Sequence, residues 1–282
     1  VNDSELGLFL RLSREAVTPA DVGLPAGSRR RTPGLRRAEL ATIAGVSVEY
    51  VTRLEQGRDR RPSAQVLAAL ADALRLTPSE RVHLHRLAKG ADAGFSCMGG
   101  AVPNRVVRPT VRALLDQLEP APAVLMNRLC EILSCTDAYR RLAGPIGLLE
   151  GSRPNLARFV FTDPRARTAY LDWNRVADEQ VACLKRGPGR SDVHVGVLMD
   201  ELTVSCGAEF AGRLEALPGL PKASDVTRMA HPEVGELRLA YETLELPADD
   251  DQRIVVYLPA DSATTAALDR LTGRRPGSLR AV

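Results

Sequence analysis

Apolar residues recur at helical spacing through the first 90 residues and at mixed spacing after them. Leu6, Phe9, Leu10 and Leu12 predict a helix over 5–16. Residues 17–34 are a long connection, broken by Pro19, Pro25 and Gly27. Leu35, Ala38, Leu40, Ala41, Ile43 and Ala44 give one buried face to a short helix over 35–44. Gly45-Val46-Ser47 is a corner: the glycine can take positive φ after a helix, Val46 plugs the bend and Ser47 can cap the next helix. That helix, over 48–56, turns Val51 and Leu54 inward with Tyr50 beside them, and Gly57 stops it. Ser63 caps a helix over 64–75 whose inward residues are Val66, Leu67, Leu70 and Leu74. Thr77, Pro78 and Glu80 form a further helix start, and Val82, Leu84 and Leu87 carry that helix to about Lys89.

After residue 90 the pattern changes. Residues 90–106 are small, Gly-rich and aperiodic, as in a linker. Helical spacing returns over 111–118, and two short strands, 123–126 and 131–135, flank a turn at Asn127–Cys130. A helix over 136–143 follows. From Asn155 the spacing predicts one long helix reaching about Arg186, then helices over 192–206 and 208–217. Strand-like runs at 224–230, 235–246 and 252–258 and a helix over 263–271 close the chain. Such an order implies a mixed sheet with helices on one side. The expected layout is α+β: a five-helix all-α domain over 1–90, a linker over 91–107, a sheet-and-helix domain over 108–272 and a flexible tail over 273–282.

The pair 35–57 is a helix-turn-helix, a unit whose second helix enters a DNA major groove with its N-terminal residues leading. By position, Val48, Glu49 and Arg53 face base edges with Thr52 beside them. Arg37, Ser47, Arg58, Arg60 and Arg61 face phosphates. Arg29-Arg30-Arg31 is either a solvated loop or, directly before the unit, a phosphate or minor-groove contact. Net charge is +3 over 282 residues, but it is uneven: residues 1–90 hold 15 Lys and Arg against 10 Asp and Glu, and the remainder 23 against 25. The basic excess therefore sits with the DNA-reading unit. One such unit reads few base pairs, so a homodimer on a pseudo-palindromic operator is expected.

Little else suggests chemistry. The five cysteines are scattered without C-x-x-C spacing, which fits reduced thiols in a cytoplasm. No G-x-S-x-G, phosphate-binding Gly-Lys loop or H-E-x-x-H occurs, so neither catalytic residues, nor a metal, nor a cofactor are expected. Asp249-Asp250-Asp251 and Gly187–Arg190 read as turns. His83 and His85 read as solvated or capping residues, and His231-Pro232-Glu233 as a structural turn. No apolar run suits a membrane span, and the start lacks a secretory pattern, so a cytoplasmic, nucleoid-associated protein is expected.

The string A-x-x-A-G-V-S-x-x-Y-x-x-R-L-E-Q-G over 41–57 resembles the xenobiotic-response-element class of bacterial helix-turn-helix repressors. VGLPAGSRRRTPGLRRAELA and RLEQGRDRRPSAQVLAALADALRLTPSERVHLHRLA resemble the MmyB-like transcription regulators. NLARFVFTDPRARTAYLDWNRVA and HPEVGELRLAYETLELPADDDQRIVVYLPADSATTAALDRL resemble the PAS-like ligand-binding domain of the same family. The resemblance implies an antiparallel sheet with helices enclosing a small, fatty-acid-like molecule. The chain departs from the family at Cys135-Thr136-Asp137, where a Trp-Asn pair is usual, and after Phe210-Ala211, where a tryptophan and His-Asp-Val are usual. Large apolar residues spread over this domain give a candidate lining of Leu125, Leu133, Phe159, Trp173, Leu198, Leu202, Phe210, Tyr241 and Val256, with Tyr241 and Arg158 as polar anchors. The alternative is that these residues fill a core and the domain is a dimerisation or partner platform.

Overall fold

A computed structural model describes residues 5–25, 34–59, 61–90, 102–186, 192–216, 220–246 and 252–273. The chain divides near residue 99 into two compact units. The first is all helical: α1 (Glu5–Ala16), α2 (Arg37–Ala44), α3 (Val48–Glu55), α4 (Ala64–Ala73) and α5 (Pro78–Gly90). The expected punctuation is present. Gly45 closes α2 at φ 66°, the Ser47 hydroxyl accepts from Tyr50 N at 3.0 Å, and Ser63 caps α4. Glu80 accepts from both the amide and the hydroxyl of Thr77, and Thr77 Oγ1 accepts from Glu80 N, a capping box. Leu6, Phe9, Leu40, Val51, Leu54, Leu67, Leu70 and Leu84 share one core.

Four residues of this unit differ from the sequence reading. Ala38 and Val82, assigned to apolar stripes, are exposed. Ile43 is exposed, because the buried stripe of α2 runs through Leu40, Ala41 and Ala44. His83 is buried with its ring edge-on to Phe9 at 5.0 Å, because that face of α5 packs against α1. The close approach of α1 to α3 is set by Gly7, where a Cβ would come within 2.4 Å of the Glu55 carbonyl oxygen.

The second unit is built on β1 (Ala123–Met126), β2 (Ile132–Cys135), β3 (Ser224–His231), β4 (Gly235–Leu246) and β5 (Gln252–Pro259). They form one antiparallel sheet in the order β2-β1-β5-β4-β3, the mixed α+β architecture expected. Its helices are α6 (Pro109–Gln117), α7 (Asp137–Ala143), α8 (Leu156–Thr162), α9 (Pro164–Ala169), α10 (Trp173–Lys185), α11 (Val193–Cys206), α12 (Ala208–Ala216) and α13 (Ser262–Thr272). The single helix expected over 155–186 is three helices. Asp163, preceding a proline, is extended and caps Arg165 N, and Tyr170 is extended and bridges to Met229.

Helices do not lie on one side only. Val124, Met126 and Val255 point into the main core with α7, α8, α10, α11 and α13, whereas Ala123, Leu125 and Ile254 pack on α6. The central strands β1 and β5 are apolar on both faces for that reason. Residues 102–107 also depart from the linker reading. Arg105 makes a two-pronged ion pair with Glu131 at 2.8 and 2.9 Å, and Gln252 donates to the carbonyls of Asn104 and Val106, so this stretch belongs to the second unit. His231 is structural as read: its ring accepts from Glu233 N and its Nε2 lies 3.2 Å from the Arg141 carbonyl. The remaining linker residues 91–101, Gly187–Arg190, Asp249-Asp250-Asp251 and the tail beyond Gly273 lie outside the described residues.

Candidate DNA interface and ligand site

α3 presents Val48, Glu49 and Arg53 to solvent, with Thr52 half-buried and its hydroxyl donating to the Val48 carbonyl at 2.8 Å. The Arg53 guanidinium lies over the Tyr50 ring at 5.7 Å and reaches Asp59 at 3.5 Å, so it is pre-positioned along the helix face. The Ser47 oxygen is engaged as a cap, which leaves its proton available to a phosphate oxygen. Arg58 and Arg61 are exposed on the loop after α3. Arg29, Arg30, Arg31 and Arg60 lie outside the described residues.

Arg37 is not simply a solvent-facing cation. Its Nε donates to Glu55 Oε2 at 2.8 Å. Glu55 is buried at the end of α3 and also receives Arg14 from α1, at 2.6 Å to Oε1 and 3.2 Å to Oε2. Arg14 in turn donates to the Leu35 carbonyl at 2.8 Å. Two arginines from two helices thus hold the end of α3. Sequence reasoning missed Glu55 and Arg14, because their 41-residue separation leaves no local signal.

The candidate ligand lining is not one surface. Phe159, Trp173, Leu198, Leu202 and Phe210 lie in the main core with Tyr241 at its margin. Leu125, Leu133 and Val256 lie on the opposite face of the sheet, under α6, because they occupy the alternate positions of their strands. The aromatic group around Trp173 is closely packed. Phe161 meets Trp173 and Phe210 edge-on at 6.0 and 4.9 Å, Arg167 covers the indole at 3.8 Å, and Trp173 Nε1 donates to the Val160 carbonyl. Arg158 is no inward anchor: the buried stripe of α8 is Leu156, Ala157, Phe159 and Val160, and Arg158 pairs on the surface with Glu201 at 2.8 and 2.7 Å.

The polar groups that do enter the interior came from elsewhere. Arg253 on β5 is buried, and its guanidinium donates to Cys130 Sγ at 3.3 Å and the Asn127 carbonyl at 3.4 Å. Tyr257 on the same strand face stacks with Tyr139 at 5.9 Å and lies 6.3 Å from Tyr241. Burial pushes the Tyr257 hydroxyl up to about 12, against the opposing pull of Arg253, and pushes Tyr139, Tyr170 and Tyr241 up as well. On α10, burial raises the Cys183 thiol to about 12 and the Glu179 carboxyl to about 7; the amide of Lys222 and the charges of Lys222 and Arg253 oppose the rise at Glu179. The visible signal was the alternation in β5, which sets Arg253, Val255 and Tyr257 on one face.

Among the described residues no helix is long and apolar enough to cross a membrane. No curated protein matches the chain. Residues 5–84 match a helix-turn-helix domain. Residues 107–271, more than half of the chain, match the MmyB-like transcription regulator ligand binding domain. A basic unit with an exposed α3, joined to a sheet domain with buried polar groups, agrees with both matches, and the chain belongs to the MmyB-like transcription regulators: DNA-binding proteins that carry a ligand-binding domain.

Proposed function

We propose that this protein is a ligand-responsive regulator that binds a pseudo-palindromic operator as a homodimer and senses a small hydrophobic, fatty-acid-like molecule. The exposed, pre-oriented face of α3 carries the DNA half of this reading. Val48, Glu49 and Arg53 read base edges: Arg53 suits guanine, Glu49 cytosine and Val48 a thymine methyl. Ser47, Arg58 and Arg61 contact phosphates, joined by Arg60 and the Arg29–Arg31 run. Arg37 contributes through whatever guanidinium nitrogens Glu55 leaves outward. Thr52 lines the same face. The buried cation and hydroxyls of the second unit support the sensing half.

The ligand acts on DNA affinity only if it binds one arrangement of the dimer better than another. The test combines light scattering, free and on DNA, with native mass spectrometry of the protein as purified and thermal melting against medium- and long-chain fatty acids. A dimer with co-purified lipid, or a melting temperature raised by an acid, supports the reading. A monomer throughout refutes the dimer, and a chain without lipid that no acid stabilises favours a partner platform.

A further inference from the structure

The outer face of the sheet is covered over only part of its width. α6 lies on β1 and β5, where Val111 and Leu115 meet Ala123, Leu125 and Ile254, and among the described residues it is the only helix in the cluster on this face. β4 and β3 continue the face beyond it. Paired residues of neighbouring strands share a face, so the register carries each row outward. Leu125 pairs with Ile254, and Ile254 pairs with Leu244. The first two are fully buried, whereas Leu244 is 44% exposed. The row thus stays apolar past the point where its cover stops. A second row on this face, Leu258, Ala240 and Val226, is half-buried.

A helix about 10 Å across spans about two strands set about 4.8 Å apart, so the open strands have room for one more helix like α6. The outward side of α6 has matching features. Ala113 and Asp116 stand opposite Val111 and Leu115 at helical spacing, with Arg112 on one shoulder and Leu114, 43% exposed, on the other. On the open strands Glu242 is exposed, in register with Val256. Among the described residues neither Arg112 nor Glu242 makes an ion pair.

Resting on the homodimer reading above, we propose that the open half of this face binds α6 of a second copy of the chain. A two-fold axis then sets the two α6 helices side by side between the two sheets. Each α6 covers its own β1 and β5 together with the partner's β4 and β3, a contact that closes on itself. Leu244 is buried against the partner's α6, and Arg112 meets the partner's Glu242. The other apolar stripe at the surface, Val193, Val197 and Val204 on α11, does not suit such an axis. Asp200 and Glu201 stand between its valines, and two copies would set like charges against each other.

The test is sedimentation equilibrium of the full chain over a range of concentrations, which gives the dissociation constant of the dimer. Leu244→Arg should leave a monomer, because it buries a charge without a partner. Arg112→Glu and Glu242→Arg should each weaken the dimer about tenfold or more, and the two together should restore it to within about threefold. Val197→Arg should change nothing. All of these positions are exposed, and Trp173 fluorescence confirms that each variant folds. A dimer indifferent to Leu244→Arg and to both reversals overturns this surface and leaves the homodimer reading standing. Loss of the dimer in Val197→Arg assigns it to α11 and overturns the surface as well. Single reversals without mutual rescue overturn the pairing of Arg112 with Glu242. A wild type monomeric at every concentration overturns the surface, and one monomeric on DNA too overturns the homodimer reading with it.

Discussion

Glu55→Ala tests how α3 is held. Arg14 has a side chain 7% exposed and Glu55 one 1% exposed, so the pair sits in low dielectric. Removing the carboxylate takes away two contacts to Arg14, at 2.6 and 3.2 Å, and one to Arg37, at 2.8 Å. Breaking a buried pair from one side costs about 3–5 kcal/mol, because the other charge stays buried without its partner. Arg14 keeps the Leu35 carbonyl at 2.8 Å and Glu15 at 3.4 Å, which argues for the lower end of that range. Arg37 is 44% exposed and re-solvates, so Arg37→Ala should cost about 1 kcal/mol or less. The double change Arg14→Met with Glu55→Leu should recover most of the loss, since apolar residues of similar volume replace a buried pair at little cost. The assay is urea denaturation of the full chain with two probes. The only tryptophan, Trp173, lies in the second unit, so its fluorescence reports that unit while far-ultraviolet circular dichroism reports both. Glu55→Ala should shift the dichroism transition and leave the fluorescence transition in place. A loss under about 1 kcal/mol, or a double variant no better than the single, would refute the reasoning.

Two further outcomes follow from the same geometry. Arg53→Ala should cost about 1–3 kcal/mol on the preferred operator and relax the choice at one base position, whereas Arg61→Ala should weaken all sequences alike and flatten the salt dependence; competition binding over single-base operator variants reads both, and an unchanged ranking for Arg53→Ala would contradict the orientation of α3. Glu179, raised to about 7 in the folded protein, binds its proton there more tightly than in the unfolded chain, so its contribution to stability falls as pH rises from about 4.5 to about 7. Across that window the wild type should lose about 1–3 kcal/mol relative to Glu179→Gln, after allowance for partial exposure. Tryptophan-monitored melts of both proteins measure the difference, and parallel curves would show that the carboxyl is not strained.

Much of the fold was legible because local chemistry and burial agree. In the helical unit, Gly45, Ser47, Ser63 and the Thr77–Glu80 box mark helix ends that the apolar spacing independently predicts. The hairpin strands were legible from alternation in β4 and β5. The break at Asp163-Pro164 carried a signal in the proline, which the helical spacing on both sides outweighed, whereas the break at Tyr170 shows only in its bridge to Met229, far along the chain. Sheet faces were the main loss in the candidate ligand site. Leu125 and Val256 are as apolar as Phe159, and composition cannot say which side of a doubly buried strand a residue occupies. Arg158 and Arg253 show the converse: one arginine in an apolar run lies on the surface beside Glu201 and the other beneath the sheet's helices, a difference set by tertiary packing alone.

The most direct test of a ligand-responsive regulator is the dissociation constant for its operator, selected from random duplexes, measured by fluorescence anisotropy at fixed salt with the protein stripped of lipid and again with its ligand at saturation. Coupling between the sites predicts a change of about tenfold, equivalent to about 1.4 kcal/mol, in either direction. An unchanged constant while calorimetry shows the ligand bound would contradict it.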